Sequence, residues 1–268
     1  MRAFQLFCHI IILSIFSSAA TAHEFWIEPK EYTVDSSGTV IANFSNGQFF
    51  KGVTESFIPN WLVTSKVANA NGVTEIKGQL GQRPAMKVSN LPDGLNVLMV
   101  QKKPLSLNYT IWGKFEKFAK HKDFGISKAD HLALGYPEKN FIESYSRYTK
   151  ALVGVGHAKG QDKRQGMEIE LVALANPYTD NTSAGLPVQA FYQDKPRKNV
   201  QIELFDRAAN GTVTVSLLRT NSNGIVNIPV KSGHNYLVDT VVLRKPAKGA
   251  VAGAVWETLW ASLTFAKE

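Results

Sequence analysis

Short β-prone segments separated by turn-forming residues dominate this sequence, and this pattern limits what the chain can fold into. Residues 39–44 (TVIANF), 61–64 (WLVT) and 95–100 (LNVLMV) are rich in β-branched and apolar side chains, with Asn-Gly and Pro-Asp-Gly turns among them. Seven further segments of this kind lie between residues 166 and 265. Regular short strands with frequent breakers are typical of β-sandwiches. About seven strands in ~100 residues favour an immunoglobulin-like or transthyretin-like sandwich.

The middle of the chain has a different pattern, with Lys, Glu, Ala and aromatic residues at helical spacing. Phe115 and Phe118 are three residues apart, Ser127 with Asp130 resembles a helix N-cap, and Pro137 interrupts the pattern. We therefore predict a mostly β fold: two Ig-like/transthyretin-like β-sandwich domains with a short helical insertion between them. The predicted boundaries are 1–22 for a signal peptide, 23–113 for the N-terminal sandwich, 114–160 for the helical insertion and return, and 161–268 for the C-terminal sandwich.

The first 22 residues have the features of a secretory signal. Arg2 gives a positive start, residues 6–16 are mostly apolar, and Ala20 and Ala22 occupy the two small-residue positions of a cleavage site. The apolar stretch is shorter than the ~20 residues that a membrane span needs. We therefore predict export, cleavage, a periplasmic location and no membrane insertion after the signal is removed.

Cysteine and charge narrow the possible chemistry. Cys8 is the only cysteine and lies inside the signal, so the mature chain would have neither disulfides nor thiolate ligands. Any metal site must then use nitrogen and oxygen donors. The net charge of +8 comes from scattered lysines, with one dense cluster at residues 114–122. No nucleic-acid motif accompanies that cluster, so we expect a solvated face and no nucleic-acid partner.

His23 is the residue that points most directly to a function. Cleavage after Ala22 would leave His23 as the new N-terminus, where its α-amine and imidazole can chelate one ion. Cleavage after Ala20 would leave Thr21-Ala22-His23, whose amine, amides and third-position imidazole also suit Cu(II) or Ni(II). Nitrogen donors of this kind select such transition metals over Ca²⁺ or Mg²⁺. Both cleavage sites therefore lead to the same metals.

Motifs along the mature chain add a resemblance. The opening AHEFWIEP (22–29) is similar to A-H-[DE]-[FL]-W-[IL]-x-P, and the return YTKALVGVG (148–156), LVALANP (171–177) and the closing WETLWASLTF (256–265) have counterparts in the same family. That family is the periplasmic component of ABC-type cobalt/nickel uptake systems. Asp194, Asn221 and Asn223 depart from its turn residues. The resemblance implies a periplasmic protein that works with a membrane ABC-type or ECF-type metal transporter.

Four further residues are candidate ligands besides His23. His157 lies in a glycine-flanked loop (154–160) and is the first choice as its partner. His121 and His131 lie ten residues apart in the helical insertion, too far apart for one helix face to present both to one ion. Glu24 is adjacent to His23 and could add an oxygen ligand. His234, at a predicted hairpin tip, is interpreted as a polar turn residue.

We therefore expect a transition-metal binding protein, with Ni²⁺ or Co²⁺ as the ion, Cu²⁺ as a further candidate, and no organic cofactor. Nucleophile-elbow, zinc-protease, dinucleotide-binding and P-loop motifs are missing from the sequence, so we do not expect an enzyme. One alternative is a metal-free Ig-like binding or adaptor module, which predicts an aromatic-lined cleft. Another alternative is a histidine-brace copper enzyme, which can start from an N-terminal histidine.

Overall fold

The computed structural model describes residues 23–268, so the predicted signal, including Cys8 and its cleavage sites, lies outside the described residues. The predicted fold class is confirmed: the chain is mostly β, with a short helical insertion. The strands are β1 Glu24–Pro29, β2 Thr33–Val34, β3 Val40–Gln48, β4 Lys51–Glu55, β5 Leu62–Asn69, β6 Gly72–Glu75, β7 Met86–Val88, β8 Gly94–Lys102, β9 Leu105–Tyr109, β10 Phe141–Val155, β11 Ile169–Ala173, β12 Leu186–Tyr192, β13 Lys195–Pro196, β14 Gln201–Arg207, β15 Val213–Arg219, β16 Ile225–Ile228, β17 His234–Arg244 and β18 Ala254–Lys267.

Three sheets make up the fold. The central sheet has ten strands, in the order β15-β14-β17-β18-β10-β8-β5-β6, with β2 and β9 also paired to β10. The first outer sheet contains β1, β3, β4 and β7, and the second contains β11, β12, β13 and β16. Each outer sheet forms a sandwich with the central sheet, so the two predicted sandwiches share one sheet.

β10 joins the two halves of the molecule. It runs parallel to β18 and pairs antiparallel with β9 near its start and with β8 near its end. Almost every residue of β10 is buried, because both faces of the strand are covered. The sequence placed this segment in the extended return of the insertion, and the structure makes it a central strand.

Alternation along the central strands separates two apolar cores. In β8, Leu95, Val97 and Met99 contribute to the core under the second outer sheet. Leu98 and Val100, whose side chains point the other way, contribute to the core under the first outer sheet. The two cores are separate because successive side chains of a strand point to opposite faces of the sheet.

The insertion consists of α1 (Trp112–His121) and α2 (Lys128–Ala133). Helix α1 packs its aromatic side chains on β18, with Phe115 stacked on Trp256 and Phe118 stacked on Trp260. Ser127 caps α2, and its hydroxyl accepts from the Asp130 backbone N–H in a full capping box, as the sequence predicted. The aromatic contacts of α1 with β18 place the end of α1 on the face of the central sheet that β1 also covers. No helix among residues 23–268 combines the length and apolar character needed to cross a bilayer.

Candidate functional site

The first strand is fixed on the central sheet by side-chain hydrogen bonds. The hydroxyl of Ser262 donates to the carbonyl of Phe25 at 2.8 Å, and that of Thr264 donates to the carbonyl of Ile27 at 2.7 Å. Thr149 accepts from the Ile27 N–H at 3.3 Å. These contacts use backbone groups of β1 that do not pair with β3, so they set the position of the strand and of the residue before it.

His23 immediately precedes β1 and is exposed. Its carbonyl accepts a hydrogen bond from Nη2 of Arg147, which lies on β10. His23 and Phe25 both line one cavity, whereas the carboxylate of Glu24 is buried among other charged groups. This division follows from strand geometry, since alternate residues face opposite sides. Glu24 therefore does not share the face of His23.

The cavity beside His23 has a volume of about 260 Å³. Half of the residues that line it are apolar or aromatic, among them Phe25, Trp61, Tyr145 and Trp260. Trp61 is half exposed at 48%, whereas Phe25 and Trp260 are buried. We call this space the His23 cavity.

Most charged groups of the His23 cavity already have partners. Lys102 forms an ion pair with Glu55 at 2.6 Å, and Glu55 also accepts from the amide of Asn46 at 2.8 Å. The other amide atom, Asn46 Oδ1, is buried and has no hydrogen-bond partner. Buried polar atoms are normally satisfied, so this acceptor is available to a water or a ligand.

Glu143 is a buried carboxyl in the wall of the same cavity. The hydroxyl of Tyr109 donates to its Oε2 at 2.7 Å, and the hydroxyl of Thr258 donates to its Oε1. Burial raises the pKa of Glu143 above its ordinary value, despite these hydrogen bonds and the positive charge of Arg147. Burial therefore favours the protonated form of Glu143 more than it would for a surface glutamate.

Arg147 is the unpaired cation of the cavity. Its side chain is buried, with the residue 8% exposed, and the guanidinium carbon lies 4.0 Å from the ring centre of Trp260. Among the described residues no carboxylate forms an ion pair with it, and Nη1 has no hydrogen-bond partner. Burial lowers the pKa of Arg147, because the charged form is removed from water.

A cluster of buried charges lies on the other side of β1. Lys122, at the end of α1, places its Nζ 2.7 Å from Glu203, 3.3 Å from Glu24 and 3.3 Å from Asp239. Lys122 Nζ also lies 4.5 Å from the ring centre of Trp260, so this cluster adjoins the His23 cavity. We call these four residues the Lys122 cluster.

The carboxylates of the Lys122 cluster could by themselves hold a metal ion, since one oxygen of each lies within 4.8 Å of the others. The ammonium of Lys122 is bonded to all three, however, and neutralises them in the place a cation would take. The Lys122 cluster is therefore an internal ion network with its cation built in.

Burial and charge act against each other in this network. Burial raises the pKa of Asp239 to about 7, although Lys122 acts in the opposite direction. Burial also raises the pKa of Glu24. Burial alone would lower the pKa of Lys122, but Asp239, Glu203 and Glu24 together raise it. These shifts show carboxylates that share one buried positive charge.

The five predicted ligands are distributed over different parts of the molecule. Only Glu24 and His121 lie near each other: Glu24 belongs to the Lys122 cluster, and His121 Nε2 lies 3.1 Å from Glu203 of that cluster. This hydrogen bond raises the pKa of His121. His131 is completely buried and satisfied: Nδ1 accepts from the indole of Trp256 at 3.0 Å, and Nε2 lies 2.8 Å from the Pro137 carbonyl. Its environment is that of a core histidine.

His157 is exposed in the turn that follows β10, and its Nδ1 accepts from the backbone N–H of Lys159 at 3.1 Å. Arg147, which contacts His23, lies on β10 ten residues before His157, which follows the end of that strand. At ~3.3 Å per residue of extended strand, Arg147 and His157 are about 30 Å apart. The structure therefore does not bring His157 to His23, because the strand β10 separates the two residues.

Sequence reasoning missed Arg147, Lys122, Glu203 and Asp239. One signal was present: Asp239 interrupts the apolar run YLVDTVVL (236–243), and a charge within such a run indicates a buried partner. Glu203 alternates with the apolar residues Ile202 and Leu204, a pattern typical of a strand with one solvated face. The structure covers that face with β1 and α1.

Comparisons with known proteins give a family but no activity. The model of a family described as "Domain of unknown function (DUF4198)" matches residues 20–244. No curated protein is significantly similar to the chain in sequence.

One similar solved structure is described as the tetra-tandem repeat in the extending region of a large adhesion protein, with 13% identity and a TM-score of 0.22. That match covers 92% of this chain and 50% of the other, so this chain spans about half its length. A superposition this poor carries no conclusion about function. The family match covers well over half of the sequence, and the chain therefore belongs to the DUF4198 family.

Proposed function

We propose that this protein is an exported binding protein for a transition-metal ion, Ni²⁺ or Co²⁺, with Cu²⁺ as a further candidate. It would act in the periplasm and supply a membrane ABC-type or ECF-type metal transporter. The observation that carries the proposal is the position of His23, exposed at a cavity and anchored through its carbonyl to Arg147. After cleavage behind Ala22, the α-amine and imidazole of one residue would form the chelate there.

The cavity offers oxygen donors to complete such a site. Asn46 Oδ1 is an unpartnered acceptor, and Glu55 lies beside it, bonded to the same amide. Two nitrogens with one or two oxygens are a donor set that suits borderline divalent ions better than Ca²⁺. We therefore propose Asn46 as the oxygen ligand in place of His157 and His131, since Glu55 already pairs with Lys102.

Protonation should govern the affinity of this site. The α-amine and the imidazole of His23 bind a metal only when they carry no additional proton. Affinity should therefore fall when the solution is made acidic.

Calorimetry with Ni²⁺, Co²⁺ and Cu²⁺ on protein whose first residue is His23 tests the proposal. We expect binding that weakens by about 100-fold or more in His23→Ala, and likewise when one alanine is added before His23 to move the amine. His157→Ala is the matched control, since it removes an exposed histidine far from the cavity. Equal affinity in the wild type and both His23 variants would rule the proposal out.

One observation favours the alternative of a metal-free binding module, namely the aromatic lining of the His23 cavity. Metal content of protein purified from the periplasm separates the two, since a module of this kind would carry no stoichiometric metal. The copper-enzyme alternative requires a second histidine near His23. Among the described residues that line the cavity, His23 is the only histidine.

A further inference from the structure

We propose that the His23 cavity binds a small organic carboxylate, with its anionic group on Arg147 and its apolar body against the aromatic walls. The inference concerns a second ligand class. It stands whether or not a metal binds at His23, because it depends on different groups of the cavity.

The unpaired guanidinium of Arg147 is the main evidence. A buried charge is costly unless an opposite charge or full hydrogen bonding compensates it. Arg147 has one hydrogen bond, from Nη2 to the His23 carbonyl, while Nη1 has none and no carboxylate forms an ion pair within the described chain. Glu24, Asp239 and Glu143 act on it only from a distance. A ligand carboxylate would supply the missing acceptor and charge.

The other charged groups of the cavity do not compete for this role. Lys102 already pairs with Glu55 at 2.6 Å. Both oxygens of Glu143 already accept hydrogen bonds, from the hydroxyls of Tyr109 and Thr258, and burial raises its pKa, which lessens its repulsion of an anion. Arg147 is therefore the group that an incoming anion would meet unpaired.

The walls determine the rest of the ligand. Trp61 and Tyr145 present aromatic surface, and Leu105 and Leu107 from β9 present aliphatic surface. At about 260 Å³ the cavity is slightly smaller than the ~300–1,000 Å³ typical of ligand pockets, so a small molecule fits better than a peptide.

Calorimetric or NMR titration of metal-free protein starting at His23 provides the test. The probes are phenylacetate, benzoate and isovalerate, and phenylacetamide serves as the neutral match for phenylacetate. We expect at least one of the three acids to bind, and phenylacetamide to bind about tenfold more weakly than phenylacetate or not at all, because the charge-assisted hydrogen bond to Arg147 is lost.

Variants assign the site. Arg147→Met should weaken acid binding by about tenfold or more, since it keeps the volume and removes the charge. Arg207→Met is the matched control, because Arg207 also lies 4.0 Å from an aromatic ring, that of Phe50, but outside the cavity. Leu105→Trp leaves Arg147 intact and fills the cavity, so it decides the question if Arg147→Met does not fold.

Four results would overturn the inference: none of the acids binds, the amide binds as well as the acid, Arg147→Met or Leu105→Trp binds with wild-type affinity, or Arg207→Met weakens binding to the same extent as Arg147→Met. Because all titrations are done without metal, their failure is distinct from a failure of the metal site.

Discussion

Asp239 shows how a single buried carboxyl can set the pH dependence of a protein. It lies in the middle of β17, 1% exposed, and its main compensation is the ammonium of Lys122 at 3.3 Å. Glu203 and Glu24 compete for the same cation. Since one positive charge cannot fully compensate three buried carboxylates, the network retains protons that free carboxyls would lose.

The folded protein should therefore lose stability as pH rises from about 4 to about 7. The pKa of Asp239 is about 7 in the folded chain, against an ordinary value of 3.8, so the folded state binds the additional proton within this window. One such proton contributes a slope of up to ~1.4 kcal/mol per pH unit. The raised pKa of Glu24 acts in the same direction, the lowered pKa of Glu203 acts against it, and the raised pKa of His121 contributes only above the ordinary value of 6.5.

Asp239→Asn should flatten this decline, because the amide has no proton to lose. Urea unfolding at pH 4.5, 5.5, 6.5 and 7.5 measures the free energy of unfolding of both proteins. Asp35→Asn, an exposed carboxyl outside the network, should leave the slope unchanged. Parallel pH profiles for the wild type and Asp239→Asn would contradict the assignment.

At the scale of elements, β1 is positioned by side chains as much as by strand pairing. It pairs with β3 on one edge, and its other edge is bonded to hydroxyls of β10 and β18. A hydroxyl contact of this kind ties the first outer sheet to the central sheet at a defined register. His23 is presented at the cavity because the strand behind it cannot slide.

Thr264→Val should therefore loosen β1. The substitution keeps the shape of the side chain but leaves the buried carbonyl of Ile27 without its donor, at a cost of about 1–3 kcal/mol. We expect faster amide hydrogen exchange in Glu24–Pro29 and weaker metal binding at His23. Thr214→Val, at an exposed position of β15, should change stability by less than about 0.5 kcal/mol. Unchanged exchange in β1 would show that pairing with β3 alone holds the strand.

At the scale of the whole molecule, the two halves are joined by one continuous sheet. The core under the second outer sheet takes Leu95, Val97 and Met99 from β8 and Leu152 from β10, together with residues of the C-terminal half. The C-terminal sequence alone therefore lacks part of its own core. Two sandwiches that share a layer cannot be separated without exposing apolar surface.

A fragment of residues 156–268 should not fold on its own, whereas the chain 23–268 should unfold in one cooperative transition. Circular dichroism during urea unfolding and the dispersion of amide NMR signals measure both. A fragment with a sigmoidal transition and dispersed signals would show that the C-terminal sandwich is independent, and would restore a domain boundary near residue 160.

The composition and local patterns of the sequence determined the β class, the turns, the cap of α2 at Ser127 and the helical insertion. These features depend on the spacing of apolar side chains and on the backbone preferences of a few neighbouring residues, both of which are visible in the sequence. Local signals also singled out His23 and Glu24. They could not say that the two side chains face opposite sides of β1 and meet different groups.

Only the tertiary structure decided which charges are buried together. Arg147, Lys122 and Asp239 are separated by tens of residues, and although the apolar run around Asp239 indicates burial, no local sequence shows which charges meet. Their energetics arise from removal from water and from partners within 4 Å, and both depend on how β1, α1 and the central sheet pack. The same packing made His131 a core residue and carried His157 to the far end of β10.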